Sequence, residues 1–185
     1  MTTSNDTINR IISELIEREG GFVDHAHDLG GPTMYGITEA VAIANGWHLP
    51  IEDLTLDVAR DIYIDQYVTN PGLDRVLARS TRVTAELVDT GVNMGVTTAI
   101  KFLQRALNAL NKNRSLYPDI KADGYLGNQT LAALIAYLRH RGAEGEEVLL
   151  KALNCLQGAR YIELSEAREA NESFTYGWLR ERVVI

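Results

Sequence analysis

Residues 17–38 read EREGGFVDHAHDLGGPTMYGIT. Asp24, His25, His27 and Asp28 crowd into five positions, and Glu19 stands just ahead of Gly20 and Gly21. Upstream, Ile8, Ile11, Ile12, Leu15 and Ile16 recur at i, i+3, i+4, i+7 and i+8, one apolar face of an amphipathic helix. Ser4, Asn5, Asp6 and Thr7 offer capping side chains for its start, and the two glycines end it. Beyond them the helical period breaks. Glycines, Pro32 and short β-branched or aromatic pieces read as a loop or small β-hairpin, after which Thr38 can cap a new helix.

Two chemistries compete for this stretch. His25 and His27, two apart, project to one face of an extended segment, and Asp24 and Asp28 add oxygen ligands, a mixture that suits zinc. The remaining histidines, His48 and His140, lack metal-like neighbours, so no metal and no cofactor are expected, and the histidines read as part of a solvated loop. The second chemistry rests on Glu19. The carbonyl end of a helix dipole and partial burial both disfavour the charged form of a carboxyl held there. A carboxylic acid kept protonated is what a general acid requires. Asp28 lies nine residues on and can return across the turn. Two carboxylates, one protonated and one ionised, are the working parts of glycoside hydrolysis. On pattern alone, a solvated surface glutamate is the other reading of Glu19.

The chain has 185 residues, enough for one sizeable domain or two small ones. Hydrophobic residues make up 45% and charged residues 23%, ordinary values for a globular protein. The single cysteine, Cys155, cannot form an internal disulfide, and its apolar surroundings, VLLKALNCLQGARYI, predict a small buried core residue. Residues 1–95 carry 6 Lys+Arg against 15 Asp+Glu, a balance of −9, whereas residues 96–185 carry 12 against 10, a balance of +2. An acidic front half argues against nucleic acid, whose phosphates demand a basic surface. The polar start MTTSNDTINRII lacks the basic and apolar regions of a signal peptide, and no run approaches a membrane span of ~20 apolar residues. The expectation is a protein made in the cytoplasm, without membrane insertion, and monomeric.

Further along, TLDVARDIYIDQYV, TRVTAELVDTGVNMG, TTAIKFLQRALNALNK, TLAALIAYLRHR and a long run from Glu146 to about Asn171 read as helices. NRSLYPDIKADGYLGNQ reads as a polar, turn-rich loop, and the final FTYGWLRERVVI is short, aromatic and then basic. The class is mainly α. The least periodic join falls at residues 91–95, which divides the chain into 1–95 and 96–185.

The motifs go beyond a carboxylate pair. Glu19, Gly20, Gly21 and Phe22, then Asp28, Gly30, Gly31, Thr33, Gly36, Ile37 and Thr38 resemble the signature of glycoside hydrolase family 108, the phage and bacterial N-acetylmuramidases. LTLDVARDIYIDQY, with Tyr63 and Tyr67, resembles that family's next helix, and LVDTGVNMG, with Asp89 and Asn93, a further segment. FLQRALN, DGYLGNQTLAAL and EANESFTYGWLRERV resemble the peptidoglycan-binding domain that follows it. The chain departs from the pattern at VDHAHD before Asp28, at Val68 where tryptophan is frequent, and at Asn128 where proline is frequent.

The resemblance implies a lysozyme-like helical fold with a small β-hairpin lobe over residues 1–95, and a helical peptidoglycan-binding bundle over 96–185. It implies hydrolysis of the β-1,4 bond between N-acetylmuramic acid and N-acetylglucosamine in cell-wall glycan strands, reached after release from the cell that made it, as an endolysin does. Glu19 would be the general acid. Asp28 would stabilise the transition state or activate water, with Thr33 or Thr38 holding that water. Gly31 and Gly36 would let the backbone approach the sugar. Tyr35, Tyr63 and Tyr67 would either stack on sugar rings or fill the lobe. Asn93 would meet an N-acetyl group or cap a helix. In the binding module, Asp123, Gly124, Gly127 and Thr130 would contact glycan or hold a turn. A lytic transglycosylase, cleaving the same bond without water, and a non-catalytic wall-binding protein are the alternatives.

Overall fold

Four apolar residues of the first helix, Ile11, Ile12, Leu15 and Ile16, are buried, and around them the front of the chain assembles. A computed structural model describes residues 3–24 and 31–183. Helix α1 spans Ser4–Glu19. Its cap is Thr3, one residue ahead of the candidates read from the sequence. Thr3 Oγ1 accepts from the Asp6 amide at 3.2 Å while the Asp6 carboxylate accepts from the Thr3 amide at 2.9 Å, a reciprocal capping box. The helix stops at Gly20, φ 81°.

Strands β1 (Phe22–Val23), β2 (Thr33–Met34) and β3 (Ile37–Thr38) form an antiparallel sheet in chain order. Phe22 pairs with Met34, Val23 with Thr33, Thr33 with Thr38, and Met34 with Ile37. Cross-strand partners share a face, so Met34 and Ile37 lie on one side and Thr33 and Thr38 on the other. Ile37 is 3% exposed, which identifies its side as the one that packs inward. Thr38 also caps helix α2 (Glu39–Ala44), its hydroxyl accepting from the Val41 amide at 3.3 Å.

Helix α3 (Leu56–Ile64) is capped by Thr55 and packs on α1. It runs into a π-helical turn over Asp65–Thr69, where the sequence pattern shows only a continuing helix. The turn adds a residue per loop of backbone and re-aims the side chains that follow. These elements make one compact unit, Met1–Asn70; Pro71–Ile185 make a second.

In the second unit, α4 (Asp74–Leu77) leads to α5 (Thr81–Met94), which meets α6 (Val96–Leu110) at Gly95, φ 86°. Helix α5 packs on α6 and on α7, so it belongs to this unit, although it precedes the join read at residues 91–95. Helix α7 (Asn128–Ala167) is broken at Gly142, whose φ of 59° and ψ of −150° no helix accommodates. This accounts for the two separate helices read there. The terminal aromatic stretch forms helix α8 (Glu172–Arg182), and its Trp178 stacks on buried Tyr161 of α7 with ring centroids 5.1 Å apart. Cys155 is exposed, against expectation. The buried positions of its helix, Leu149, Leu153, Gln157 and Tyr161, form an i, i+4 stripe, and Cys155 sits off that stripe. The whole is mainly α with one small sheet, the lysozyme-like class expected. No described helix is long and apolar enough to cross a membrane.

Buried polar groups lock the second unit. Asp89, 7% exposed, accepts from Arg182 Nη1 at 3.0 Å and from Gln157 Nε2 at 3.1 Å, which ties α5 to α7 and α8. Removing one partner of a buried ion pair strands the other charge. Asp89→Ala is therefore expected to cost about 3–5 kcal/mol in urea unfolding, far more than loss of an exposed pair such as Arg160 with Glu163.

Tyr117 supplies a pH test. Its hydroxyl donates to the Leu107 carbonyl at 2.7 Å. Burial, reinforced by the neighbouring Tyr137 phenol and opposed by Arg141, pushes it up to about 12. The folded state thus holds the proton more tightly than the unfolded chain. The stability it contributes is complete below pH ~10, the value of a free phenol, and is lost as pH rises through the folded value. The thermal midpoint should fall across that window, and fall less steeply in Tyr117→Phe.

Candidate active site

Glu19 is the last residue of α1, half-buried, and the chain turns sharply away after it. The β2–β3 connection comes back to meet it. Tyr35 and Gly36 form a two-residue turn with φ of 54° and 74°. Positive φ at both central residues is the hairpin geometry that matches the twist of the flanking strands. Glycine adopts it freely, whereas tyrosine does so at a cost. The Tyr35 amide reaches back to the Gly21 carbonyl at 3.4 Å, tying the turn to the segment after Glu19.

The turn is pressed against two side chains. A β-carbon at residue 36 would lie 2.8 Å from the Tyr63 hydroxyl and 3.1 Å from both Cγ and Oε2 of Glu19. Tyr63, on α3 and 2% exposed, donates its hydroxyl hydrogen to the Tyr35 carbonyl at 2.9 Å. Tyr67, on the π-helical turn, packs against Tyr63 with ring centroids 5.6 Å apart and is half-buried. Burial, and then the charge of the Glu19 carboxylate, raise the Tyr67 phenol above its ordinary value. It therefore keeps its proton throughout the neutral range and remains a hydroxyl donor beside Glu19. The fold thus brings Glu19, Tyr35, Gly36, Tyr63 and Tyr67 together from three segments distant in sequence.

Thr33 and Thr38 are paired across β2 and β3 on the face opposite Ile37, and both are half-buried. Thr38 caps α2 with a lone pair, which leaves its hydroxyl hydrogen free to donate elsewhere. Gly31, φ 73°, occupies the left-handed region that glycine favours. Asp28, His25, His27 and Gly30 lie outside the described residues. Among the described residues, no three histidine, cysteine, aspartate or glutamate side chains gather as a metal-holding group.

The other candidates belong to the second unit. Asn93 Nδ2 donates to the Asp89 carbonyl one turn back, within its own helix. In the loop before α7, Asp123 Oδ1 accepts from the Tyr125 amide at 3.0 Å, and that bond first, then one from Gln104, holds its carboxyl below the usual range. Gly124, φ 80°, passes so close to α6 that a β-carbon there would come 2.5 Å from the Thr97 methyl and 2.7 Å from its carbonyl. Gly127 closes a tight turn through its amide to the Tyr125 carbonyl at 2.9 Å. Thr130 is 3% exposed.

The residue that organises this loop, Gln104, escaped the sequence reading. It is 1% exposed on α6. Its Nε2 donates to Asp123 Oδ1, the Tyr125 carbonyl and Thr130 Oγ1 at 3.0–3.1 Å, and its Oε1 accepts from the Gly124 amide at 2.8 Å. The signal was present: an amide among Ile100, Leu103 and Leu107 on an apolar stripe must find partners inside. Around it, Lys121, Asp123, Tyr125 and Gln129 line a shallow depression of about 250 Å³, with Tyr125 75% exposed at its edge.

Residues 12–95 match the family described as Glycosyl hydrolase 108, and residues 98–183 match the one described as Predicted Peptidoglycan domain. No curated protein gives a match. Among solved structures, one titled as the structure of Brucella abortus SagA is similar to this chain with 24% identity and a TM-score of 0.61, covering 97% of this chain and 99% of its own. At that identity the likeness is one of fold. The front of the chain, residues 12–95, thus belongs with the glycosyl hydrolase 108 family and residues 98–183 with the peptidoglycan domain, which together support a glycoside hydrolase acting on peptidoglycan.

Proposed function

We propose that the chain is an N-acetylmuramidase that hydrolyses the β-1,4 bond between N-acetylmuramic acid and N-acetylglucosamine, with Glu19 as general acid. The observation that carries this reading is the seating of Glu19 at a helix end, against a glycine of the hairpin turn and beside two tyrosines. Breaking the bond requires a proton on the departing oxygen while positive charge grows on the sugar. Glu19 stands half-buried at the end of α1, and a carboxyl positioned against the departing oxygen is the group that general acid catalysis calls for. The absence of a side chain at Gly36 lets the turn backbone close on that carboxyl and on the Tyr63 hydroxyl.

The second role falls to Asp28 with Thr33 and Thr38. Asp28 would stabilise the cationic sugar or activate water, and the paired threonine hydroxyls would hold that water. This corresponds to an inverting outcome, in which the base and the acid leave room for water between them. Residues 1–95 would supply catalysis and residues 96–185 wall binding. A chain tethered to an insoluble polymer meets its next bond at high effective concentration. The loop around Asp123 and Tyr125 is the proposed contact, with Gln104 holding its shape. The enzyme would act as a monomer on cell-wall glycan, in the manner of an endolysin.

Digestion of purified peptidoglycan followed by mass spectrometry tests the reaction. Reducing ends, one water heavier than anhydro ends, are expected; anhydro ends would make the enzyme a lytic transglycosylase. In the same assay Glu19→Gln should lower the rate by about 10²–10⁴-fold, the usual worth of a positioned acid. A Glu19→Gln variant that clears peptidoglycan at the wild-type rate would remove Glu19 from the mechanism.

A further inference from the structure

Tyr63 is a buried tyrosine of this site, and filling space does not call for its hydroxyl. A ring that stacks on a sugar must show a face to solvent, and Tyr63 is 2% exposed. Its hydroxyl is directed at protein: it donates to the Tyr35 carbonyl at 2.9 Å. Tyr35 is one of few described non-glycine residues with positive φ. Such a residue is strained and persists only where its surroundings over-determine it. The Tyr63 bond is one of those determinants, and the Tyr35 amide contact with Gly21 is another.

The consequence reaches Glu19 through the next residue. The position a β-carbon would take on Gly36 is the meeting point of two side chains: Tyr63 Oη lies at 2.8 Å, and Glu19 Cγ and Oε2 each at 3.1 Å. The turn is thus a wall behind the carboxyl arm, and Tyr63 fixes where that wall stands. Helix α3, which carries Tyr63, itself packs on α1, which carries Glu19, so both ends of this linkage share one rigid frame. We infer that Tyr63 is a positioning residue for Glu19, acting through the Tyr35 and Gly36 turn, and that it does not touch the glycan. This rests on the reading of Glu19 as the general acid.

Tyr63→Phe removes the hydroxyl and keeps the ring. Measured on soluble peptidoglycan glycan strands, kcat should fall about 10- to 100-fold while KM stays within about twofold, because small misplacements of a reacting group are costly to rate and leave substrate binding intact. A kcat equal to wild type overturns the inference, and so does a raised KM at unchanged kcat, which would mean contact with glycan. Gly36→Ala reaches the shared point from the other side, by pushing a methyl to within 2.8 Å of the phenol oxygen, and is read against Tyr63→Phe in combination. In the double variant the phenol oxygen that opposes the methyl is gone, so the combined loss should be smaller than the product of the single losses. Losses that multiply independently overturn it. Glu19→Gln separates the two readings. If it is inactive while Tyr63→Phe is unimpaired, the positioning role fails and the general acid stands. If Glu19→Gln is active, both fail.

Discussion

A glycine at residue 36 sets how closely the hairpin turn can approach the end of the first helix. Its missing side chain is the space in which the Tyr63 hydroxyl and the Glu19 carboxyl arm converge. Any larger residue would meet both, and would also sit in a backbone region that L side chains avoid, at φ 74°. The sheet of the first unit is only three two-residue strands, too short to be stable alone. It holds its place because Ile37 is buried, Thr38 starts the next helix, and Tyr63 bonds the turn. The same contacts that fix the sheet therefore fix the surroundings of the carboxyl.

The second unit depends on polar groups placed where the chain's hydrophobic pattern would admit only apolar ones. Asp89 and Gln157 join three helices, and Gln104 supports a whole loop with four hydrogen bonds. Each is costly to bury; specific partners compensate Asp89 and Gln104, whereas Gln157 pairs its Nε2 and keeps Oε1 buried without a hydrogen-bond partner among the described residues. The four hydrogen bonds of Gln104 hold the loop to α6 at Asp123, Gly124 and Tyr125 and to Thr130 at the start of α7. That rigidity holds Tyr125 out into solvent beside a shallow polar depression.

The helices were legible wherever an apolar stripe ran at the helical period, as in α1 with Ile11, Ile12, Leu15 and Ile16. Their ends were legible where a glycine or a threonine cap stood, as at Gly20, Gly95 and Thr38. Reading failed where tertiary contact overrode local pattern. The aromatics after Asn171 serve a stack on Tyr161, 17 residues before Trp178, which no local pattern shows. Cys155 looked like core because apolar neighbours surround it in sequence, whereas the helix turns it off the buried stripe. The π-helical turn at Asp65–Thr69 leaves no mark in residue type that distinguishes it from the helix before it.

The sequence by itself determined that the chain is mainly helical, that a glycine-rich turn follows the first helix, and that a glutamate stands at that helix's end. Those are local matters, written in the spacing of apolar residues and the conformational demands of glycine. Only the tertiary structure decided which groups surround the glutamate. Tyr35 and Gly36, Tyr63, and Tyr67 come to it from 16 or more residues away, and nothing in residue type reveals that a phenol bonds one particular carbonyl across 28 positions. Such contacts follow from the packing of α3 on α1, which a one-dimensional pattern constrains and does not contain.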